Sequence, residues 1–224
     1  MEMKEVMPLN SPAWVSKSPF WRVERCRNCP NALIDLDHLE RSMNRILKEL
    51  HFESRRRTVL KTDRPLHHQV FSISVSGCPN SCSQPQIKDV GIQGQAVPVI
   101  GEGCTLCQEC VRSCPDGCIT LTEDGPSIQR SGCLNCGRCV RVCPSGTLTH
   151  ADTGFRVMIG GKLGRRPRLA ETVVDFGREE ALVSTLKAVV EVLTDPQHAD
   201  KRLGSVLEDL GAGLFRQNHR EANR

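Results

Sequence analysis

Thirteen cysteines in 224 residues are the part of this sequence best equipped to do chemistry. Nine lie between residues 101 and 149, and they repeat. Cys104, Cys107, Cys110 and Cys114-Pro115 are echoed by Cys133, Cys136, Cys139 and Cys143-Pro144. Each run has the spacing Cys-x2-Cys-x2-Cys-x3-Cys-Pro, which places three thiolates of a run on one iron–sulfur cube and sends the fourth to the other. One 4Fe–4S cluster is therefore expected on Cys104, Cys107, Cys110 and Cys143, and a second on Cys133, Cys136, Cys139 and Cys114. Zinc sites come as cysteine pairs, not as twin runs of four. Two adjacent clusters imply electron transfer. Cys118 falls outside both runs and, beside Ile119 and Leu121, reads as a small core residue.

Four further cysteines form two pairs, Cys26/Cys29 and Cys78/Cys82. The second pair sits on the turn Ser76-Gly77-Cys78-Pro79-Asn80-Ser81-Cys82, behind an apolar alternating run that reads as a strand. Glycine there lets backbone approach an inorganic ligand closely. Spacing alone leaves a third cluster and a structural zinc ion equally open.

Composition narrows the classes. A formal net charge of +4 is too mild for a nucleic-acid-binding face. The first 25 residues contain Pro8, Pro12, Glu2 and Glu5 and no apolar core of a signal peptide. No stretch reaches the roughly 18 apolar residues of a membrane span. Disulfide frameworks belong to secreted chains, so the cysteines are expected to be reduced metal ligands in a cytoplasmic protein.

Around the cysteines, residues 1–25 read as an irregular arm packing Trp14, Phe20 and Trp21 on the chain's own core. A helix is expected from Asp37 to Leu50, with Asp37 and Glu40 at its start. Arg55-Arg56-Arg57 reads as a solvated turn or as a clamp for carboxylate or phosphate. Thr58–Lys61 and His68–Val75 read as strands; neighbouring His67 and His68 would then face opposite ways and not share a metal. Phe155–Ile159 reads as a strand, 160–168 as a glycine- and arginine-rich loop, and Arg178–Leu193 and Lys201–Leu210 as helices. The tail, 212–224, reads as frayed.

Gly77-Cys78-Pro79-Asn80-Ser81-Cys82, with Gln84-Pro85-Gln86-Ile87-Lys88-Asp89-Val90-Gly91-Ile92 after it, resembles the second cysteine motif of the sirohaem-dependent sulfite and nitrite reductases. Cys29-Pro30-Asn31-Ala32 resembles the end of their first motif. Residues 160–170 and 202–211 resemble their C-terminal segments. A ferredoxin insert after the second motif is the arrangement of the dissimilatory and anaerobic sulfite reductases. The resemblance implies an α+β fold: a mixed-sheet sulfite/nitrite reductase half-domain formed by 26–100 and 150–211, with a bacterial ferredoxin-like module, 101–149, inserted between them. It also implies a third 4Fe–4S cluster on Cys26, Cys29, Cys78 and Cys82. Cys82 would bridge that cluster to the iron of a sirohaem, and Arg55, Arg56, Arg57, Lys162, Arg165, Arg166 and Arg168 would meet the haem carboxylates. The implied activity is reduction of sulfite or nitrite, with electrons supplied by a donor protein; the rival is an electron-transfer protein on the same scaffold without sirohaem.

Three departures from the family's pattern stand out. Its first motif would place a ligand at Val23, where this chain offers Cys26. The half-domain that precedes the first motif has no counterpart in the 25 residues before Cys26, which implies a second subunit or a second copy completing the haem pocket. The lysines that contact the oxyanion fall near Val70 and Ser72, neither cationic.

Overall fold

A computed structural model describes residues 18–27 and 29–216; Trp14 lies outside them. The chain opens with strand β1 (Trp21–Arg25), followed by helices α1 (Leu36–Glu49) and α2 (Phe52–Leu60), then strands β2 (Phe71–Ser76) and β3 (Val90–Ile100). Helix α3 (Glu109–Ser113), strands β4 (Ile119–Thr122) and β5 (Gly125–Ile128) and helix α4 (Arg138–Val142) follow. Strands β6 (Leu148–Ile159) and β7 (Glu171–Gly177) and helices α5 (Glu179–Leu193) and α6 (Leu203–Leu210) complete it. One sheet runs β1-β2-β3-β6-β7, and β4-β5 form a separate hairpin. β1, β2 and β3 are parallel, while β6 and β7 are antiparallel to their neighbours. The expected mixed α+β sheet is present, and the doubled cysteine runs lie between its two longest strands, β3 and β6.

The sheet has two different faces. Phe71, Ile73 and Val75 alternate inward on β2, joined by Val90, Ile92, Val157 and Ile159 from β3 and β6. Helices α1 and α5 cover this face with Leu39, Met43 and Leu47 and with Leu182, Leu186 and Val189. Helix α1 starts one turn-position earlier than its sequence suggests: Asp35 is the N-cap, accepting from His38 N at 2.9 Å. Asp37 and Glu40 instead hold Arg25, at 2.6 and 2.7 Å, and pin the end of β1 to α1. The other face is polar, with Ser72, Ser74, Ser76, Gln93 and Gln95, yet these residues are buried too. The segment after Cys82 folds back over it: Ser74 Oγ donates to Ser83 O at 2.7 Å, and Ser72 N and Oγ donate to Asp89 at 2.9 and 2.6 Å.

Several expectations are corrected. The aromatic arm ends in a strand, since Trp21–Arg25 pairs with β2 along its whole length; Phe20 and Trp21 are buried in the core. Thr58–Lys61 is not a strand but the end of α2, and Arg55-Arg56-Arg57 is helical rather than a turn. That helix is bounded by His51 and Lys61, both in the left-handed region at φ 51° and 52°, a conformation no propensity at non-glycine residues announces. His67 and His68 lie on a 3-10 turn, and β2 begins only at Phe71. Ala212 and Phe215 are buried in the core, so the ordered chain extends past 211.

Phe52 anchors α2, packing its ring 6.2 Å from Trp21 and 5.4 Å from Phe71, with no exposed surface. Phe52→Ala is expected to destabilise the protein by about 3–5 kcal/mol. The check is the denaturant midpoint; an unchanged midpoint would mean that α2 is not part of the cooperative core.

Candidate metal centres

The carboxyl ends of parallel strands are where open α/β sheets present ligand-binding loops, and the Cys26/Cys29 and Cys78/Cys82 pairs lie there. β1 ends at Arg25, and Cys26 N continues the ladder to Val75 O at 3.0 Å. β2 ends at Ser76, and the second cysteine turn begins at the next residue. Leu33 N donates to Gly77 O at 2.7 Å, and Gly77 N donates to Cys26 Sγ at 3.2 Å. The two loops are thus clasped. Gly77 is required by that contact, because a Cβ there would stand 2.7 Å from Ala32 Cβ.

Cys26, Cys29, Cys78 and Cys82 line one cavity of about 490 Å³. Cys26 and Cys78 are half-buried, Cys29 and Cys82 exposed. Burial pushes the Cys78 thiol up, and the charges of Cys82, Cys29 and Cys26 push it further, against a backbone donor from Asn80. Four sulfurs that repel one another as thiolates become compatible when they share a cationic centre. Asn31 N also donates to Cys29 Sγ at 3.4 Å. Val23, where the family's spacing would put the first ligand, is buried in the hydrophobic core; Cys26 occupies the cavity instead.

The turn is braced by residues that sequence reasoning did not single out. Ser83 Oγ lies 2.7 Å from Ser76 Oγ and donates to Val75 O at 2.9 Å. Gln93 Nε2 donates to Ser81 Oγ. A serine-rich loop facing alternate serines of β2 was the available signal.

The doubled runs share a left-handed backbone at three equivalent positions. Leu106 and Asn135 both have φ 56°, Gln108 and Gly137 have φ 64° and 65°, and Gly117 and Gly146 have φ 62° and 69°. Each run turns into a five-residue helix, α3 or α4, and leaves it at a cysteine, Cys114 or Cys143, with ψ 112° or 109°. The tail of each run touches the head of the other. Gly101 N donates to Thr147 O at 2.7 Å, and Gln129 N donates to Cys118 O at 2.8 Å. Cys118 is buried, as its neighbours suggest, and its sulfur packs where a Gly132 Cβ would be.

Backbone donors point at these sulfurs. Leu106 N reaches Cys104 Sγ at 3.4 Å, Cys118 N reaches Cys114 Sγ at 3.4 Å and Leu148 N reaches Cys143 Sγ at 3.5 Å. Burial works against the Cys143 thiolate, but donors from Leu148 and Ser145 hold its pKa below the usual thiol range. Burial pushes Cys110 up, and Cys139 up to about 11, so these two are protonated at neutral pH unless metal holds them. Among the described residues no group of three or more Cys, His, Asp or Glu is arranged to hold a single metal ion. The cysteine-only donor set, its amide donors and its cavity fit iron–sulfur clusters.

The two regions meet. Ala96 of β3 bridges Cys136, with Ala96 N donating to Asn135 O at 2.7 Å. A cavity of about 360 Å³ is lined by both Cys78 and Cys136.

The cations nominated for haem carboxylates are elsewhere. α2 packs against Trp21 and Phe71, the first residues of β1 and β2 and thus the end away from the cysteines. Arg55 is paired with Glu191 at 2.7 Å, and Arg57 with Glu53 and Asp63 at 3.0 and 2.6 Å. Arg56 is buried, donates to Leu193 O at 2.6 Å, and is pushed down by that burial. The 160–168 loop hangs from the start of β3 through Gly160 N to Asp89 O at 2.8 Å, also away from Cys82. There Lys162 is tied to Ser205 and Glu208 at 2.8 and 2.9 Å, and Arg168 to Gly160 O and Glu171. Arg165 and Arg166 are exposed. None of these seven side chains lines the cavity that holds Cys82. Ser72, one of the positions where the family's pattern has a lysine, is bound to Asp89 instead, whose carboxyl is pushed up by burial against the pull of Arg202.

Comparison with known proteins follows this geometry. A curated relative, the coenzyme F420-dependent sulfite reductase of Methanocaldococcus jannaschii, is 34% identical over 200 residues, covering 87% of this chain and 29% of the relative. This chain therefore spans less than a third of that relative's length. The crystal structure of dissimilatory sulfite reductase I matches with a TM-score of 0.63 at 17% identity, covering 88% of this chain and 51% of that one, a likeness of fold. The family model described as nitrite and sulphite reductase 4Fe-4S domain matches residues 24–223. A cysteine cavity at parallel strand ends, and a family match across nearly the whole chain, lead to one conclusion: this chain belongs to the nitrite and sulphite reductase 4Fe–4S domain family.

Proposed function

We propose that this chain is the iron–sulfur, electron-conducting part of a sulfite- or nitrite-reductase-type oxidoreductase. It would hold three 4Fe–4S clusters: one on Cys104, Cys107, Cys110 and Cys143, one on Cys133, Cys136, Cys139 and Cys114, and one on Cys26, Cys29, Cys78 and Cys82. When bound, such clusters supply one-electron redox chemistry. The chain's own residues do the rest. Thiolates from four separated segments fix the sites, backbone N–H groups stabilise the charged sulfurs, and Ser83 and Gln93 hold the second turn in place.

The observation that carries this reading is the meeting of Cys26, Cys29, Cys78 and Cys82, from two different strand ends, around one cavity. That cavity adjoins the one that reaches Cys136. A donor protein would load the twin runs, and Cys82, exposed at the rim, is the outlet.

Reductive titration of anaerobically purified protein tests it. About three electrons per chain are expected, one for each cluster; uptake of about two, with the twin clusters intact, would remove the third site from the reading.

A second reading places sirohaem at Cys82 and has this chain take part in reduction of a small oxyanion. The exposure of Cys82 and the activity named for the curated relative favour it. None of the nominated cations lines the cavity that holds Cys82, so cations of a second subunit or a second copy would meet the haem carboxylates. A visible spectrum decides this: haem bands that Cys82→Ser alters support it, and their absence from protein with full cluster content contradicts it. No helix among the described residues is long and apolar enough to cross a membrane.

A further inference from the structure

One position of the cysteine repeat changes charge between the runs: Glu109 in the first is Arg138 in the second, while Arg112 and Arg141 are equivalent. In the first run, Glu109 and Arg112 occupy the exposed face of α3 and pair with each other; Arg112 also donates to Cys107 O at 2.9 Å. Their counterparts in the second run are Arg138 and Arg141 on α4. Both are cationic and exposed. Neither guanidinium has a hydrogen-bond or ion-pair partner among the described residues. Both line the cavity of about 360 Å³ that Cys136 shares with Cys78.

The consequence follows from charge. Accepting an electron makes a cluster more negative, and an uncompensated positive charge nearby favours that state. Around the first run the Glu109–Arg112 pair cancels its own field. Around the second, two positive charges act together, both on the lining of the cavity that Cys136 shares with Cys78. A backbone contact of Ala96 with Asn135 and Cys136 also ties this run to strand β3.

We propose that Arg138 and Arg141 set the direction of the relay, by making the cluster on Cys133, Cys136, Cys139 and Cys114 the inner, higher-potential one of the pair. This rests on the three-cluster reading above. Cys104, Cys107, Cys110 and Cys143 would hold the outer cluster and Cys133, Cys136, Cys139 and Cys114 the inner one; an external one-electron donor would supply the electron, one cluster would be oxidised as the other is reduced, and no proton or ligand would be exchanged. Cys136 and Cys78, on the shared cavity, mark the way onward. Arg138 and Arg141 are positioning residues here; they touch no reacting atom.

The test is a potentiometric titration followed by electron paramagnetic resonance on cluster-loaded protein. Cys107→Ser and Cys136→Ser each remove one signal and so assign the outer and inner clusters. In the double variant Arg138→Glu/Arg141→Glu, the reduced-to-oxidised ratio of the inner cluster, at its wild-type midpoint, is expected to fall about tenfold. That equals about 59 mV for one electron. The outer cluster should move less. Arg138→Lys/Arg141→Lys should restore the wild-type value, and the shift should shrink at high salt, as screening requires. An unmoved inner potential in protein with full iron content, or an equal shift of both clusters, overturns the inference alone. Wild-type protein lacking two ferredoxin-type signals overturns the three-cluster reading and the inference with it.

Discussion

Cys78→Ser is expected to lower the iron content of anaerobically purified protein from about twelve to about eight per chain, and to leave both ferredoxin-type signals in place. The reason is architectural. Cys78 belongs to a cavity built by the loops after β1 and β2, whereas the twin runs are built within residues 101–147 and close on one another through Gly101–Thr147 and Cys118–Gln129. Serine keeps the size of the side chain but is a poor ligand for a cluster that three other thiolates already crowd. Burial also pushes the Cys78 thiol up, so metal binding there must displace its proton. Metal binding and the ordering of such a site are coupled, so the Cys26–Ala32 loop should lose protection from proteolysis as well. Retention of about twelve irons in this variant would mean that Cys78 is not a ligand.

Gly94→Ala should disrupt the same site without touching a cysteine. A Cβ on Gly94 would stand 2.3 Å from Gly77 O and 2.8 Å from its carbonyl carbon. Gly94 lies on β3, paired with Phe155 of β6 and next to Gln93, the last residue paired with β2, so that backbone yields little. The turn at Gly77 must move instead, and Leu33, whose N–H donates to that same oxygen at 2.7 Å, loses its anchor. Overpacking of this kind costs about 1–3 kcal/mol. The larger expected effect is loss of the third cluster, again read as about eight irons per chain, with a lowered thermal midpoint. Full iron content and an unchanged midpoint would show that the clasp between the two loops is not needed to form the site.

The parts of the structure that were legible in the sequence share a property: their signals are local. The twin Cys-x2-Cys-x2-Cys-x3-Cys-Pro runs carry their own turn geometry, and the apolar spacing of Leu39, Met43, Ile46 and Leu47 carries α1. What escaped depends on partners distant in sequence. Arg55, Arg56 and Arg57 look like an anion clamp because guanidinium forks suit carboxylates. In the fold they meet Glu191, Leu193 O, Glu53 and Asp63, and they lie at the far end of the strands from the cysteines. Lys162 is similarly consumed by Glu208. Helix α2 is not legible because its limits are two left-handed non-glycine residues, His51 and Lys61, which no local propensity announces. The burial of β2 on both faces was hidden because Ser72, Ser74 and Ser76 read as solvent-facing, while the loop after Cys82 folds back over them. The spacing of Cys26 and Cys29 departs from the family's pattern, yet the clasp through Leu33 and Gly77 brings both to the cavity.

The central claim is that Cys26, Cys29, Cys78 and Cys82 hold a third iron–sulfur cluster beside the twin pair. Iron, acid-labile sulfide and zinc measured per chain on anaerobically purified wild-type protein test it most directly. The account predicts about twelve irons, an equal amount of sulfide and no stoichiometric zinc. About eight irons with one zinc, lost on Cys78→Ser, would contradict it.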